Sequence, residues 1–413
     1  MAPDSRPPDA RTGRERLVIV GAGMAAARLV AELGRCCPGR HVVTVVGGER
    51  RPPYNRILLS PLLAGERAVD DLALEDSQAL PGVAYTLCDP VVAIDRAARV
   101  VVTAGGTNIR YDHLVLAVGS TPLHPEIRGI AFDGVYTFRD YDDAAALIAA
   151  SRAARRAIVV GGGLLGLEAA YGLRQRGVAV TVVHLTSWLM ERQLDAAAGS
   201  LLRDLLVRRG VDVVLEAETI AITGDGRATG VALRDGRELS ADLVVFAIGI
   251  RPNTALARAA GLAVGRGIIV DDALMTSDPA ILALGECVEH RGKTYGLVAP
   301  LWEQAAVIAR RLAGDSACYG GSCTAATLKV SGVELYSAGR IAAEATDEEI
   351  IYEDPATGIY RKLVVQDGRL AGAVLLGDAR DAAWYGELMR RQDDISGMRA
   401  DMIFGRAFVD NAA

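Results

Sequence analysis

This 413-residue sequence predicts an α/β fold in which one strand–loop–helix–strand unit occurs twice, followed by a C-terminal antiparallel α+β domain. Two observations predict the units: near residues 17 and 157, a β-branched run leads into closely spaced glycines and then into a helical pattern. A third, the alternating apolar segments over residues 324–376, predicts the last domain. Hydrophobic residues make up 51% of the chain, which is enough for a large buried core.

The first unit predicts a phosphate-binding loop. Leu17–Val20 is the expected strand, and the next six residues match the pattern G-x-G-x-x-A. Gly21 permits the tight turn, Gly23 lets a pyrophosphate approach the backbone, and Ala26 lets the helix pack close to the strand. Phosphates would accept hydrogen bonds from the free N–H groups at the helix N-terminus, where the helix dipole favours anions.

The rest of the first unit supplies a helix, a second strand and an acidic residue. Ala25–Leu33 has helical composition, and His41–Val46 reads as the second strand. Glu49 follows that strand, 28 residues after Gly21, which is a position from which a carboxylate can hydrogen-bond a ribose.

The second unit repeats this arrangement with a full G-x-G-x-x-G. Ala157–Val160 is the strand, the glycines are Gly161, Gly163 and Gly166, and Val178–Val183 is the next strand. Two such loops in matching contexts predict two Rossmann-like domains, one for each of two dinucleotides, FAD and NAD(P)H.

The residue at the end of the second unit's second strand bears on the choice of nicotinamide cofactor. This residue is His184, 23 positions after Gly161, and neither an acidic residue nor an arginine follows it at once. It is either a neutral contact to the adenosine ribose or a strand-end histidine without that role. The lack of an arginine for a 2′-phosphate slightly favours NADH over NADPH.

Charge and hydropathy exclude several classes of function. The net charge of −6 lacks the basic footprint of a nucleic-acid-binding protein. No apolar stretch approaches the roughly 18–20 residues of a membrane span. Residues 1–15 lack the apolar segment of a secretory signal and are expected to be a disordered tail on a cytoplasmic protein.

The cysteine pattern favours free thiols in a reducing compartment and predicts no metal site. The six cysteines form no C-x-x-C pair and lack iron–sulfur spacing. A labile pair or partial metal site between Cys318 and Cys323 is the alternative. The cysteines are Cys36, Cys37, Cys88, Cys287, Cys318 and Cys323.

Several further segments carry a family resemblance. They are YNRILLSPLL (54–63), YDHLVLAVGSTP (111–122), GGGLLGLEAA (161–170), LMERQLD (189–195), FAIGIRPNT (246–254) and ALGECVEHRGKTYGLVAPLWEQA (283–305). The chain resembles FAD-dependent pyridine nucleotide-disulfide oxidoreductases over about residues 16–390. Within that group it is most similar to the flavin part of NAD(P)H nitrite reductases and to electron-transfer subunits of assimilatory nitrate reductases.

The resemblance implies a division into domains. Residues 16–118 and 246–323 would form a discontinuous FAD-binding domain, with an NAD(P)H-binding domain at 119–245 inserted into it. Residues 324–413 would form an interface-type domain, which either mediates a homodimer or shields the flavin.

The resemblance also implies site residues. For FAD, Gly21, Gly23 and Ala26 would hold the pyrophosphate and Glu49 the adenosine ribose. Tyr54, Arg56 and Ser60 would lie on a loop that reaches toward the flavin, and Gly119 and Gly249 would be turns where the two domains meet. Gly285 and Glu286 would contact the ribityl chain, and Pro300 and Trp302 would lie where the chain passes the isoalloxazine ring. Gly161, Gly163 and Gly166 would hold NAD(P)H, and Glu168, the one candidate catalytic residue, would lie near the nicotinamide.

Simpler roles stand beside four of these. Glu286 could be a capping carboxylate, Trp302 a core residue, Arg56 a partner in a surface salt bridge, and Glu168 a residue that caps or pairs within its own helix. Ferredoxin reductases usually carry a lysine where this chain has Pro61, and this departure favours the nitrate and nitrite group.

The chemistry expected is hydride transfer without a thiol relay. Arg56–Gly65 contains no cysteine, and Cys287 is expected to be a packing residue. NAD(P)H would reduce FAD, which would pass electrons to a separate redox protein of a nitrate or nitrite reductase system. The alternatives are a ferredoxin or rubredoxin reductase of another pathway and a non-catalytic NADH-sensing flavoprotein.

Overall fold

The computed structural model describes residues 14–74, 82–322, 325–330 and 332–412. Most of the predicted N-terminal tail therefore lies outside the described residues, and the first strand begins at Glu15. In the part of the chain described, no helix is long and apolar enough to cross a membrane.

The strands follow in chain order. They are β1 Glu15–Val20, β2 His41–Val46, β3 Val83–Thr86, β4 Val91–Asp95, β5 Val100–Thr103, β6 Asn108–Arg110, β7 His113–Leu116, β8 Ser120–Pro122, β9 Val135–Thr137, β10 Arg156–Val160, β11 Ala179–Val183, β12 Val211–Val214, β13 Thr219–Gly224, β14 Ala228–Leu233, β15 Glu238–Ser240, β16 Leu243–Phe246, β17 Ile250–Pro252, β18 Ile268–Val270, β19 Ile281–Ala283, β20 Val288–His290, β21 Lys293–Thr294, β22 Ala325–Val330, β23 Val333–Gly339, β24 Glu348–Asp354, β25 Ile359–Gln366 and β26 Arg369–Leu376.

The helices are described in the same way. The α-helices are α1 Met24–Cys36, α2 Leu59–Ala64, α3 Tyr141–Ser151, α4 Leu164–Gln175, α5 Ala196–Arg208, α6 Ala255–Ala259, α7 Val298–Leu312, α8 Ala382–Arg391 and α9 Arg406–Ala412. Short 3₁₀ turns cover Arg56–Leu58, Val69–Leu72 and Met402–Phe404.

The chain divides into two compact units, the first built from residues 1–56, 72–121 and 250–322. Its main sheet is parallel with the strand order β19-β7-β1-β2-β3. β1 is buried along most of its length because helices of βαβ crossovers cover parallel sheets on both faces. Helices α1 and α7 pack together in this unit.

The second unit contains residues 57–71, 122–249 and 323–413. Its parallel sheet has the order β12-β11-β10-β16-β9, so a glycine-loop strand again lies beside the following strand and a strand from later in the chain. An antiparallel sheet of order β22-β23-β26-β25-β24 belongs to the same unit. Helix α8 packs on β26.

These observations confirm the predicted fold class. β2 has the predicted bounds, and β1, β10 and β11 lie within about two residues of theirs. The predicted three-domain boundaries stay a prediction, because contacts group residues 122–249 with the C-terminal sheet. Cys88 follows β3 with a φ of 60°. Near the end of the chain, Met402 and Ile403 lie in the C-terminal core.

Candidate cofactor-binding sites

The first glycine loop has the geometry of a pyrophosphate cradle. Gly21 has a φ of 107°, and a Cβ atom there would lie 2.1 Å from the carbonyl oxygen of Ala117, so the turn requires glycine. Gly23 is the N-cap of α1, and a Cβ atom there would meet open space. Because Gly23 has no side chain, the first N–H groups of α1 keep their capacity for a phosphate. The loop therefore fits a dinucleotide.

The second loop repeats these features in the other unit. Gly161 has a φ of 121°, and its Cβ atom would lie 2.3 Å from the oxygen of Ala247. A Cβ atom on Gly166 would lie 2.0 Å from the oxygen of Gly161, which explains why α4 needs glycine there to pack against the strand. Gly163 is the N-cap of α4 and again faces open space. This loop fits a second dinucleotide.

Glu49 lies after β2, as the ribose role requires, and it is held by two neighbours. Its carboxylate accepts a hydrogen bond of 2.8 Å from the Tyr54 hydroxyl and pairs with the Arg56 guanidinium. Arg56 also lies over the Tyr54 ring, 5.4 Å from its centroid. The salt bridge proposed as the simpler role of Arg56 is therefore present, and the contacts of all three residues with FAD stay predictions.

Ser60 and Glu168 meet although 108 positions separate them. Ser60 on α2 donates a hydrogen bond of 2.6 Å to Glu168 Oε2 on α4, so the partner of Glu168 lies outside its own helix. Burial raises the pKa of the Glu168 carboxyl, and the bond from Ser60 offsets only part of this effect. The arrangement favours a Glu168 that holds its proton at higher pH than an exposed glutamate does.

We expect Glu168→Gln to remove a pH-dependent loss of stability. Since the folded pKa is raised, this carboxyl contributes stability below its unfolded pKa and loses it as pH rises through the folded pKa. As the pH is raised from acidic to neutral, the unfolding midpoint of the variant should therefore rise relative to that of the unchanged protein. The control is Glu218→Gln. Because the hydrogen bond from Arg234 lowers the pKa of the Glu218 carboxyl, the unfolding midpoint of this variant relative to the unchanged protein should change with pH in the opposite direction. Parallel profiles for Glu168→Gln and the unchanged protein would contradict the pKa shift.

The other predicted turns adopt backbone conformations that favour glycine. Gly119 and Gly249 have φ values of 63° and 117°, and Gly285 has 89°. The N–H of Gly285 donates a 2.7 Å hydrogen bond to the buried Gln304 side chain. Glu286 accepts a 2.7 Å bond from the Ser120 hydroxyl. Their contacts with FAD stay predictions.

Pro300 and Trp302 lie in the first turns of α7, where proline is tolerated. Pro300 is buried, whereas Trp302 is 41% exposed, so the core role considered for Trp302 is wrong. The Arg28 guanidinium lies over the Trp302 ring, 4.9 Å from its centroid, which is a cation–π geometry.

The thiols do not form a relay in the described part of the chain. Cys287 is fully buried, and burial raises the pKa of its thiol to about 12, so it is a packing residue. Cys318 is free and exposed, and Cys323 lies outside the described residues. Among the described residues, no group of three or more histidine, cysteine and acidic side chains is placed to hold a metal ion.

His184 is buried at the end of β11 and contacts the second glycine loop. Its Nδ1 accepts a 3.0 Å hydrogen bond from the N–H of Gly162, and its Nε2 lies 3.0 Å from Glu191 Oε2. A direct contact of His184 with the ribose stays a prediction. Sequence reasoning missed both partners, since Gly162 is a variable position of the motif and Glu191 lies seven residues beyond the strand end. The only sequence signal for Glu191 is its place in the LMERQLD segment, which carries part of the family resemblance.

Comparisons with known proteins agree with this geometry. Residues 15–307 match the family described as pyridine nucleotide-disulphide oxidoreductase, and residues 325–393 match the rubredoxin NAD⁺ reductase C-terminal domain. The chain is 43% identical to a nitrite reductase [NAD(P)H] of Bacillus subtilis, over 93% of this chain and 48% of that protein. It is 40% identical to an assimilatory nitrate reductase electron transfer subunit of the same organism, over 93% and 50%. The chain thus spans about half the length of these two relatives.

A solved structure extends the comparison to almost the whole chain. The ferredoxin reductase for the CYP199A2 system from Rhodopseudomonas palustris has a TM-score of 0.84 and 28% sequence identity. The match covers 97% of this chain and 100% of that one.

Proposed function

Since this chain belongs to the pyridine nucleotide-disulphide oxidoreductase family and is an FAD-dependent NAD(P)H oxidoreductase, we propose that it supplies electrons to a nitrate or nitrite reductase system. The observation that carries the two-cofactor part of the proposal is the pair of matching glycine loops, in each of which the N-cap glycine leaves the first N–H groups of the helix without a side-chain hydrogen bond. One loop serves FAD and the other NAD(P)H.

The protein's own contribution is to bind and orient. When bound, NAD(P)H would supply a hydride, and FAD would be its acceptor and a source of single electrons for the partner. The N–H groups at the start of α1 and α4 would hold the two pyrophosphates, and Gly21 and Gly161 give each loop the turn that orients these groups. Because hydride transfer needs close positioning and no acid or base, the lack of a reactive thiol at Cys287 fits this chemistry.

The electron acceptor we propose is a redox protein or domain of nitrate or nitrite reduction. The names of the two Bacillus relatives and Pro61, where ferredoxin reductases usually carry lysine, support it. The second candidate is a ferredoxin or rubredoxin reductase of another pathway, which the match of residues 325–393 and the Rhodopseudomonas structure favour. A cytoplasmic location and a homodimer formed through the C-terminal sheet belong to the same proposal.

Reduction of the bound flavin and transfer to an acceptor test the proposal in two steps. NADH added without oxygen should bleach the visible band of the FAD-loaded protein rapidly, whereas an NADH sensor would be reduced slowly or not at all. The reduced protein should then support nitrate or nitrite reduction by an added catalytic subunit faster than it reduces ferredoxin or rubredoxin. Faster transfer to ferredoxin or rubredoxin would favour the second candidate.

A further inference from the structure

The second Rossmann-like unit lacks, at the end of its second strand, the acidic residue that usually binds the adenosine ribose. In Rossmann-like domains, a carboxylate at the end of the second strand accepts hydrogen bonds from the ribose hydroxyls of NAD, and an arginine there accommodates the 2′-phosphate of NADP. In this chain His184 occupies that strand end and is only 7% exposed. Its contacts show which neighbour can replace the missing carboxylate.

The hydrogen bonds of His184 fix its tautomer. The N–H of Gly162 donates to Nδ1 at 3.0 Å, so Nδ1 carries no proton and the proton lies on Nε2. Nε2 faces Thr186 Oγ1 at 2.8 Å and Glu191 Oε2 at 3.0 Å. His184 therefore accepts from the glycine loop on one side. On the other side its single Nε2 proton is shared between Thr186 Oγ1, whose own hydrogen is donated to the Trp188 carbonyl, and the Glu191 carboxylate.

The backbone before Glu191 is folded onto the glycine loop. Met190 is fully buried with a φ of 55°, a conformation that non-glycine residues rarely adopt, and its N–H donates a 3.0 Å bond to the oxygen of Gly162. A Cβ atom on Gly162 would lie 2.5 Å from Leu189 and 2.7 Å from the His184 ring. Close packing thus holds Glu191 beside the loop.

The same segment is also tied to the C-terminal sheet. The Ser337 hydroxyl donates a 2.6 Å bond to the oxygen of Gln193. Asp195 accepts 2.7 Å and 3.1 Å bonds from Tyr360 and Lys362. Glu191 therefore lies on a segment fixed at both ends rather than on a free loop.

We propose that Glu191 is the carboxylate that binds the adenosine ribose of NADH and repels the 2′-phosphate of NADPH, and that His184 is the positioning residue that aims it. The inference rests on the proposed function only in that the second loop holds the nicotinamide cofactor. The Glu191 side chain is 33% exposed, and among the described residues its Oε1 has no hydrogen-bond partner. It can therefore accept from a ribose hydroxyl while Oε2 faces His184.

Binding of ADP-ribose and 2′-phospho-ADP-ribose to the FAD-loaded protein tests this assignment. Both probes are redox-inert, so calorimetry reports the ribose site whether or not any electron acceptor is correct. The unchanged protein should bind ADP-ribose more tightly by about tenfold or more, and Glu191→Gln should reduce that preference by about tenfold. Glu191→Asp, which keeps the charge, should retain part of it, and circular dichroism reports folding of each variant.

Arg192→Gln is the matched control, since Arg192 is the exposed neighbour that could hold a 2′-phosphate. The control should leave the preference unchanged. A preference for 2′-phospho-ADP-ribose that Arg192→Gln abolishes, or a preference that Glu191→Gln leaves intact, would overturn the proposal.

His184→Asn tests the positioning role. An asparagine oxygen can still accept from Gly162, but the side chain no longer reaches Glu191. The variant should lose part of the preference, and in the double variant with Glu191→Gln it should add nothing further. Additive effects of the two substitutions would mean that His184 acts on binding independently of Glu191.

Discussion

A Gly163→Glu variant is expected to fold and keep its FAD but to lose reduction by NADH. The backbone of Gly163 is extended, with a φ of −84°, and a Cβ atom there meets no heavy atom within 4 Å. The new side chain therefore enters the space in front of α4 without strain. Its carboxylate would face the pyrophosphate, and juxtaposed like charges cost several kcal/mol, so reduction at a fixed NADH concentration should fall by about a hundredfold or more.

Stopped-flow bleaching of the bound flavin measures this effect, and dithionite reduction checks that the flavin itself remains reducible. Gly397→Glu is the matched control: it introduces the same charge at an exposed glycine of the same unit whose Cβ position is also open. A normal rate of reduction in Gly163→Glu would mean that the second loop does not bind the nicotinamide cofactor.

Sequence reasoning located both loops because their signals are local. A β-branched strand, a glycine with positive φ and a small residue facing the strand all follow within about ten residues, as at Gly21 and Ala26. The second loop, from Gly161 to Gly166, repeats the pattern, and the two sheets built around these strands follow from the same rule. The fold class was therefore predictable from short windows of sequence.

The missed contacts join residues whose proximity depends on the tertiary structure. Ser60 reaches Glu168 only because α2 and α4 pack together, and no sequence pattern near either residue predicts the contact. Glu191 reaches His184 because Met190 adopts a positive φ that a sequence pattern assigns to glycine. A strand-end rule looks for the ribose contact at His184 itself and so passes over the carboxylate beside it.

The C-terminal sheet also contacts the segment that carries Glu191, and the glycine motif gives no sign of these contacts. Tyr360 and Lys362 on β25 both contact Asp195, which also caps α5 by accepting from the N–H of Ala198. The sheet thus stabilises the turn that carries Glu191. If Glu191 binds the cofactor as proposed, substitutions at Tyr360 or Lys362 should change cofactor binding without contacting the cofactor.

A Gly23→Glu variant is expected to be purified as a colourless apoprotein. Gly23 has a φ of −91°, and its Cβ position is also open, so the substitution should not prevent folding. The carboxylate would lie where the FAD pyrophosphate approaches the N-terminus of α1. Repulsion of several kcal/mol corresponds to affinity weakened by about a hundredfold or more, which is enough to lose the flavin during purification.

Visible absorbance and flavin released on denaturation give the FAD content, and circular dichroism confirms that the protein is folded. The matched control is Gly320→Glu, at an exposed glycine of the same unit with open space at Cβ, which should stay yellow. Together with Gly163→Glu, the variant separates the two loops: one change should remove the flavin and the other only its reduction. If Gly23→Glu retains FAD and Gly163→Glu loses it, the two cofactor assignments must be exchanged.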